Sequence, residues 1–241
     1  MDLDRFFSPA LRRVQSILSA LKSHGNRRAI LGMARYGITT KKVFGTPAPF
    51  IRSLAKNIGK DHDLALELWK TGVLEARGLA SLIDEPAKVT KSQMQRWVKD
   101  FDNWAVCDSC CGNLFDKTPH AYSLAVRWSR DGREFVKRAG YSMMAELAVH
   151  DKKASDEKFQ TFLRHIRRGA ADERNFVKKG VNWALRQIGK RNPRLHAKAV
   201  ATARNLRRLR SGSARWVAND ALRELLNPAV MRRIKTRNAA R

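Results

Sequence analysis

Apolar residues recur along this chain at spacings of three and four, and the alternation that marks a β-strand is scarce. Leu11, Val14, Leu18 and Leu21 would share one helical face, and Phe159, Phe162, Leu163 and Ile166 another. Between such stretches stand residues that open helices: Thr46 before Pro47, Thr90 before KSQMQRWVKDF, Thr118 before Pro119, Asn192 before Pro193 and Asn227 before Pro228. A Thr or Asn oxygen satisfies the first free amides of a helix, and proline suits the first turn because an N–H there has no intrahelical partner. The predicted elements are helices of roughly 10–18 residues with short polar joints, packed as antiparallel neighbours. The expected fold class is all-α.

An internal echo refines that expectation. Asp131 to Arg138 (DGREFVKR) and Asp172 to Lys179 (DERNFVKK) match at Asp, Arg, Phe, Val and Lys with a shift of 41 residues. A period near 40 with two helices per period marks a HEAT-like array, in which each pair buries its apolar face only by stacking on the next. The architecture predicted is an α-α superhelix of antiparallel pairs forming one domain over 1–241. One helix of each pair would line a basic concave face wide enough for a duplex, and the residues from Ile234 to Arg241 would fray.

Charge then narrows the partner. The 241 residues carry 49 Lys and Arg against 22 Asp and Glu, a net charge of +27, while 43% hydrophobic content excludes a compositionally disordered chain. Of that charge, +18 lies between Arg164 and Arg241, where 22 basic residues face four acids. The basic residues there interleave with apolar ones, as in FLRHIRRG and ALRQIGKR, so they form folded faces rather than a tail. Neutralising phosphates releases counterions, so the expected partner is a nucleic acid. No stretch approaches the ~20 apolar residues of a membrane span, so no membrane partner is expected. The opening MDLDRFFSPALRRVQSIL lacks the layout of a secretory signal, so a cytoplasmic protein is expected, nucleoid-associated in a bacterium.

Two segments carry candidate chemistry. In FDNWAVCDSCC, Trp104 lies four residues from both Asp100 and Asp108 and shares a helical face with them, while Cys107 and Cys111 make a separate pair. Structural zinc takes four ligands; with Cys110 there are three cysteines, and the nearest histidine, His120, lies beyond a helix break. These cysteines are therefore read as packing a helix interface, and no metal or cofactor is expected. In NFVKKGVNWALRQ, Lys179, Trp183 and Arg186 follow one another at four and three. That spacing fits either a Trp anchoring the helix while its cations are solvated, or an aromatic wall beside a phosphate-binding face. The six histidines are scattered, and the Gly-rich phosphate loops and nucleophile turns of α/β enzymes are absent.

Taken together, MARY ending at Tyr36, WAVCD from Trp104 to Asp108, FVKR ending at Arg138 and FVKKGVNWALR ending at Arg186 resemble the AlkD-like DNA alkylation-repair glycosylases, over about residues 28–226. The resemblance implies a HEAT-like repeat fold and a site in which Trp104, Asp108 and Trp183 surround a damaged nucleotide. It also implies that Tyr36, Arg138 and Arg186 hold the DNA backbone; Lys178, Lys179, Lys41, Lys42 and Arg215 are expected, as basic residues, to extend the DNA-binding surface. Departures fall at Ala105, where relatives are often acidic, in the cysteine-rich stretch to Gly112, and in the rewritten loop GITTKK after Tyr36.

The activity so implied is hydrolysis of the N-glycosidic bond of cationic N3- and N7-alkylated purines in duplex DNA; with no lysine placed as a Schiff-base nucleophile and no obvious apolar docking face, a monofunctional enzyme acting as a monomer is expected. Alkylation makes the base a good leaving group, and positive charge passes to an oxocarbenium-like sugar. Asp108, ionised and favoured in that form by a cation such as Arg138, would stabilise the charge and orient water. Two unit charges ~4 Å apart interact by about 4 kcal/mol at an effective dielectric of 20, enough to matter for a weakened bond. The alternatives are a non-catalytic HEAT-repeat protein that binds damaged or branched DNA, and a helical scaffold that binds structured RNA.

Overall fold

A computed structural model describes residues 9–239. Among the described residues there are fourteen α-helices and no strand. The chain divides into two compact units, Met1–Thr118 and Pro119–Arg241, where the sequence pattern suggests one array. The first holds α1 (Pro9–Ser23), α2 (Arg27–Arg35), α3 (Ala48–Ile58), α4 (His62–Lys70), α5 (Leu74–Ile83), α6 (Lys91–Trp97) and α7 (Trp104–Asn113). The second holds α8 (Ala121–Trp128), α9 (Glu134–His150), α10 (Asp156–Gly169), α11 (Asn175–Gly189), α12 (Pro193–Arg207), α13 (Gly212–Leu225) and α14 (Pro228–Ala239).

Aromatic stacking organises the core of the first unit. Trp69 lies flat on Trp97, with ring centroids 3.9 Å apart, and Phe101 and Phe115 close around the pair. One fully buried carboxylate ties three helices: Asp84 accepts from Gln93 Nε2 at 2.7 Å and from the Glu85 amide at 2.7 Å, and lies 2.6 Å from His62 Nδ1. A charge this deep persists only when its oxygens are satisfied, which these three partners do.

The helix starts show where sequence signals compete with tertiary structure. Thr90 caps α6 through the Gln93 amide, Asn192 caps α12 through that of Leu195, and Asn227 accepts from Ala229 at the start of α14, all as predicted. Thr46 and Thr118 do not cap. Thr46 Oγ1 instead donates to the Leu21 carbonyl at 2.7 Å, leaving Pro47 at the boundary of α3, and Thr118 Oγ1 donates to the Phe115 carbonyl at 2.8 Å. The buried face of α1 is Val14, Ile17 and Leu21; Leu11 is exposed, so the predicted stripe is rotated by part of a turn. The α10 face of Phe159, Phe162, Leu163 and Ile166 is buried as expected.

In the second unit α9, α11 and α13 pack side by side in one layer, with α8, α10 and α12 in the other. The 41-residue echo has a physical cause here. Asp131 takes the amide and the guanidinium of Arg133 just before α9, and Asp172 takes the amide and the guanidinium of Arg174 just before α11. Successive copies also bond to each other: Arg174 Nη1 donates to the Gly132 carbonyl at 2.6 Å and Lys137 Nζ to Asp172 at 2.8 Å. Ser213, one period beyond Asp172, donates to the Asp172 carbonyl at 2.7 Å. At the other end, α14 runs through the segment expected to fray and buries Ile234; positions 240–241 lie outside the described residues.

Candidate functional site

Asn103 starts α7 where it does: its side-chain oxygen accepts the amides of Ala105 and Val106 at 2.9 and 3.1 Å. Val106, Cys107, Cys110 and Cys111 then face inward and are buried, the packing role read from the sequence. Burial pushes the Cys110 and Cys111 thiols up, away from the thiolate that metal binding or redox chemistry requires. With that side spent on packing, Trp104 and Asp108 remain half-buried one turn apart.

Tyr36, the residue that closes α2, joins Trp104 from 68 positions earlier. Trp104 Nε1 donates to the Tyr36 carbonyl at 2.9 Å, while the Tyr36 ring is 73% exposed. Two residues selected from the sequence thus meet in one unit, and the third, Asp108, lies one turn along the helix of Trp104. The loop that follows Tyr36 is anchored from below by Glu75, a carboxylate only 3% exposed, which accepts the amides of Phe44, Gly45 and Thr46 at 2.7–3.2 Å. Gly45 sits at φ +75°, a conformation that favours glycine. Lys41 and Lys42 project from the same loop and are exposed, with Lys42 Nζ donating to the Thr71 carbonyl at 3.2 Å.

The second unit places its candidates on α9, α11 and α13. Trp183 is half-buried on α11 and Lys179 is exposed. Arg138 is inside rather than on the surface: it is 6% exposed and its Nη1 donates to the Phe176 carbonyl at 2.7 Å. Arg186 is half-buried and pairs with Glu224 of α13, which also takes Lys190 Nζ at 2.6 Å; Asp220 lies 4.0 Å from Arg186 Nε. Burial works to raise the Glu224 pKa, but the hydrogen bonds from Lys190 and Arg186 outweigh it and hold the carboxyl below its usual range. Two of the four acids in the basic third of the chain therefore neutralise cations on the α11 face. Arg215 is exposed, but its guanidinium donates to the Arg210 carbonyl at 2.9 Å, closing the turn before α13.

Trp216, a residue the motifs did not select, belongs with this group. Its ring is 41% exposed and the Lys178 ammonium stands 5.0 Å from its centroid. A tryptophan directly after Arg215 was the available signal. None of the described helices is long and apolar enough to cross a membrane.

Comparison with known proteins adds to this geometry. Residues 17–240 match the family model described as DNA alkylation repair enzyme. Uncharacterized proteins of Listeria innocua and Listeria monocytogenes are each 22% identical over 152 residues, which is 63% of this chain; the chain spans 66% of the length of each. Among solved structures, a member of a new family of proteins related to the HEAT-like repeat DNA glycosylases, with affinity for branched DNA structures, superimposes with a TM-score of 0.71 at 23% identity. That match covers 79% of this chain and 82% of the other, and it shows a HEAT-like repeat fold.

Proposed function

Because the chain belongs to the DNA alkylation repair enzyme family, we propose that it is a DNA glycosylase that hydrolyses the N-glycosidic bond of cationic alkylated purines in duplex DNA. The observation that carries this reading is the contact of Trp104 with Tyr36, with Asp108 one turn along the helix of Trp104. The indole N–H is fixed on the Tyr36 carbonyl at 2.9 Å, and a half-buried carboxylate lies one turn along the same helix. A held indole presents a negative π face to a cationic nucleotide, worth about 0.5–2 kcal/mol. The carboxylate stabilises the positive charge that develops on the deoxyribose and orients the attacking water. In the second unit Trp183 offers a further aromatic face to the DNA. Lys41, Lys42, Lys178 and Lys179 engage phosphates, and Trp216 with Lys178 above it extends the surface. The protein acts as a monomer, without metal or cofactor.

A second reading has specific support. Arg186, a position that the glycosylase resemblance gives to the DNA backbone, is paired with Glu224, and the related solved structure has affinity for branched DNA. On this reading the chain binds branched or damaged DNA without cutting the glycosidic bond. One assay separates the two: incubation of the purified protein with methylated duplex DNA, followed by alkali. Free 7-methylguanine and alkali-labile abasic sites support the glycosylase. Tight, salt-sensitive binding without either product supports the binding protein.

A further inference from the structure

The second unit repeats a feature that the proposed site does not use. Arg164, Arg167 and Arg168 near the end of α10 recur 40 residues later as Arg204, Arg207 and Arg208 near the end of α12. The spacing i, i+3, i+4 puts each trio on one helical stripe, and all six side chains are exposed. α10 and α12 pack against each other in the layer behind α11, the helix that carries Lys178, Lys179, Trp183 and Arg186. Between their ends opens a cavity of about 440 Å³, lined by the three α10 arginines with Asn205, Leu206 and Leu209. A second, of about 590 Å³, opens beyond α12 and includes Arg204 and Arg207.

Among the described residues these arginines have no acidic partner and make one hydrogen bond to a side chain, from Arg164 Nη2 to Thr161 Oγ1 at 2.9 Å. Of the four acids between Arg164 and Arg241, Asp172 is committed to Arg174 and Lys137, Asp220 to Arg223 and Asn182, and Glu224 to Arg186 and Lys190, while Glu173 accepts from Ser211 Oγ at 3.4 Å. A cation near a helix C-terminus is ordinarily stabilised by the macrodipole, but each helix end offers only about half a negative charge. Three guanidinium groups at each end exceed that severalfold and repel one another until an anion arrives. The guanidinium fork matches phosphate oxygens. Because the stripe recurs on successive helices, whose axes are spaced ~8–10 Å, it suits a polymer of phosphates rather than a single ion.

We propose that the α10–α12 arginine ridge is a second DNA site, which grips the phosphate backbone of a duplex separate from the one on the α11 layer. One protein then holds two DNA segments at once. This rests on the reading that the chain binds DNA, but not on its being catalytic.

The test uses the full chain and short unmodified duplexes carrying donor or acceptor dyes, with stoichiometry from sedimentation and bridging from energy transfer between duplexes. The wild type is expected to bind two duplexes and bring the dyes together. Changing all six arginines to Gln should leave one duplex bound, abolish bridging and weaken the second binding step by about tenfold or more. It should also flatten that step's salt dependence by about 0.9 in log–log slope for each phosphate no longer neutralised. The double variant Arg167→Glu/Arg168→Glu, which alters only exposed positions on one helix, gives the same readout if the sixfold variant folds poorly. A wild type that binds a single duplex, or a charge-reversed variant that still bridges, overturns the proposal. So does competition at the ridge by an RNA hairpin or an acidic peptide in preference to duplex DNA. Bridging by a protein that releases no base from methylated duplex DNA would count against the glycosylase alone, and base release from methylated duplex without bridging of the unmodified duplexes against the ridge alone.

Discussion

Replacing Glu75 tests how the loop behind Tyr36 is held. The carboxylate accepts three consecutive backbone amides, from Phe44, Gly45 and Thr46, and those of Gly45 and Thr46 are buried. Glu75→Ala strands those two buried donors, at about 1–3 kcal/mol each for an unsatisfied buried group, so about 2–6 kcal/mol is expected. Glu75→Gln can keep an acceptor at the Oε1 place, which takes the amides of Gly45 and Thr46, and turns an NH2 only toward Phe44, so it should cost less than the alanine change. Urea unfolding gives the loss in stability, and native-state hydrogen exchange at residues 44–46 localises it. The loop leads from Tyr36 to α3, so the same variant should weaken duplex binding through Lys41 and Lys42. If Glu75→Ala changes stability by under about 0.5 kcal/mol and leaves exchange at 44–46 unaltered, the carboxylate is not the anchor described here.

Three further outcomes follow from the second unit. Glu224→Gln should release Arg186 and Lys190 from their shared partner and tighten duplex binding, with the salt slope steeper by about 0.9 for each freed cation that reaches a phosphate; unchanged affinity would count against neutralisation of that face. Gly140→Ala should destabilise by about 1–3 kcal/mol or more in thermal unfolding, because the added methyl would lie 2.8 Å from Ser129 Cα, which is backbone and cannot yield. Asp172 is held well below the ordinary carboxylate range, chiefly by Arg174, with burial opposing and Lys137 adding. A depressed carboxyl contributes stability above its unfolded value of 3.8 and loses it as pH falls through the lower folded value. Acid unfolding of the wild type should therefore show an increment below that value that Asp172→Asn lacks.

Much of the helical architecture was legible because helix signals are local. Thr90 and Asn192 cap through their own backbone neighbours, and the apolar face of α10 follows its own periodicity. The echo at Asp131 and Asp172 was legible for the same reason, since each Asp bonds an Arg two residues on. What sequence could not supply depends on distant partners. Thr46 is drawn away from its helix by Leu21, Arg138 is taken inside by Phe176, and Arg186 is neutralised by an acid 38 positions later. The link between Trp104 and Tyr36 is also long-range, spanning 68 positions; the two residues were chosen by resemblance, and no local spacing connects them.

The central claim is that one carboxylate on α7 turns DNA binding into bond cleavage, and Asp108→Asn tests it most directly. The change is nearly isosteric at a half-buried position, so helical content and duplex affinity should be preserved. Single-turnover release of 7-methylguanine from methylated duplex DNA should fall by about 10²-fold or more, the usual scale for losing one electrostatic stabiliser of a transition state. Release at the wild-type rate by a folded, DNA-binding Asp108→Asn protein would contradict the account.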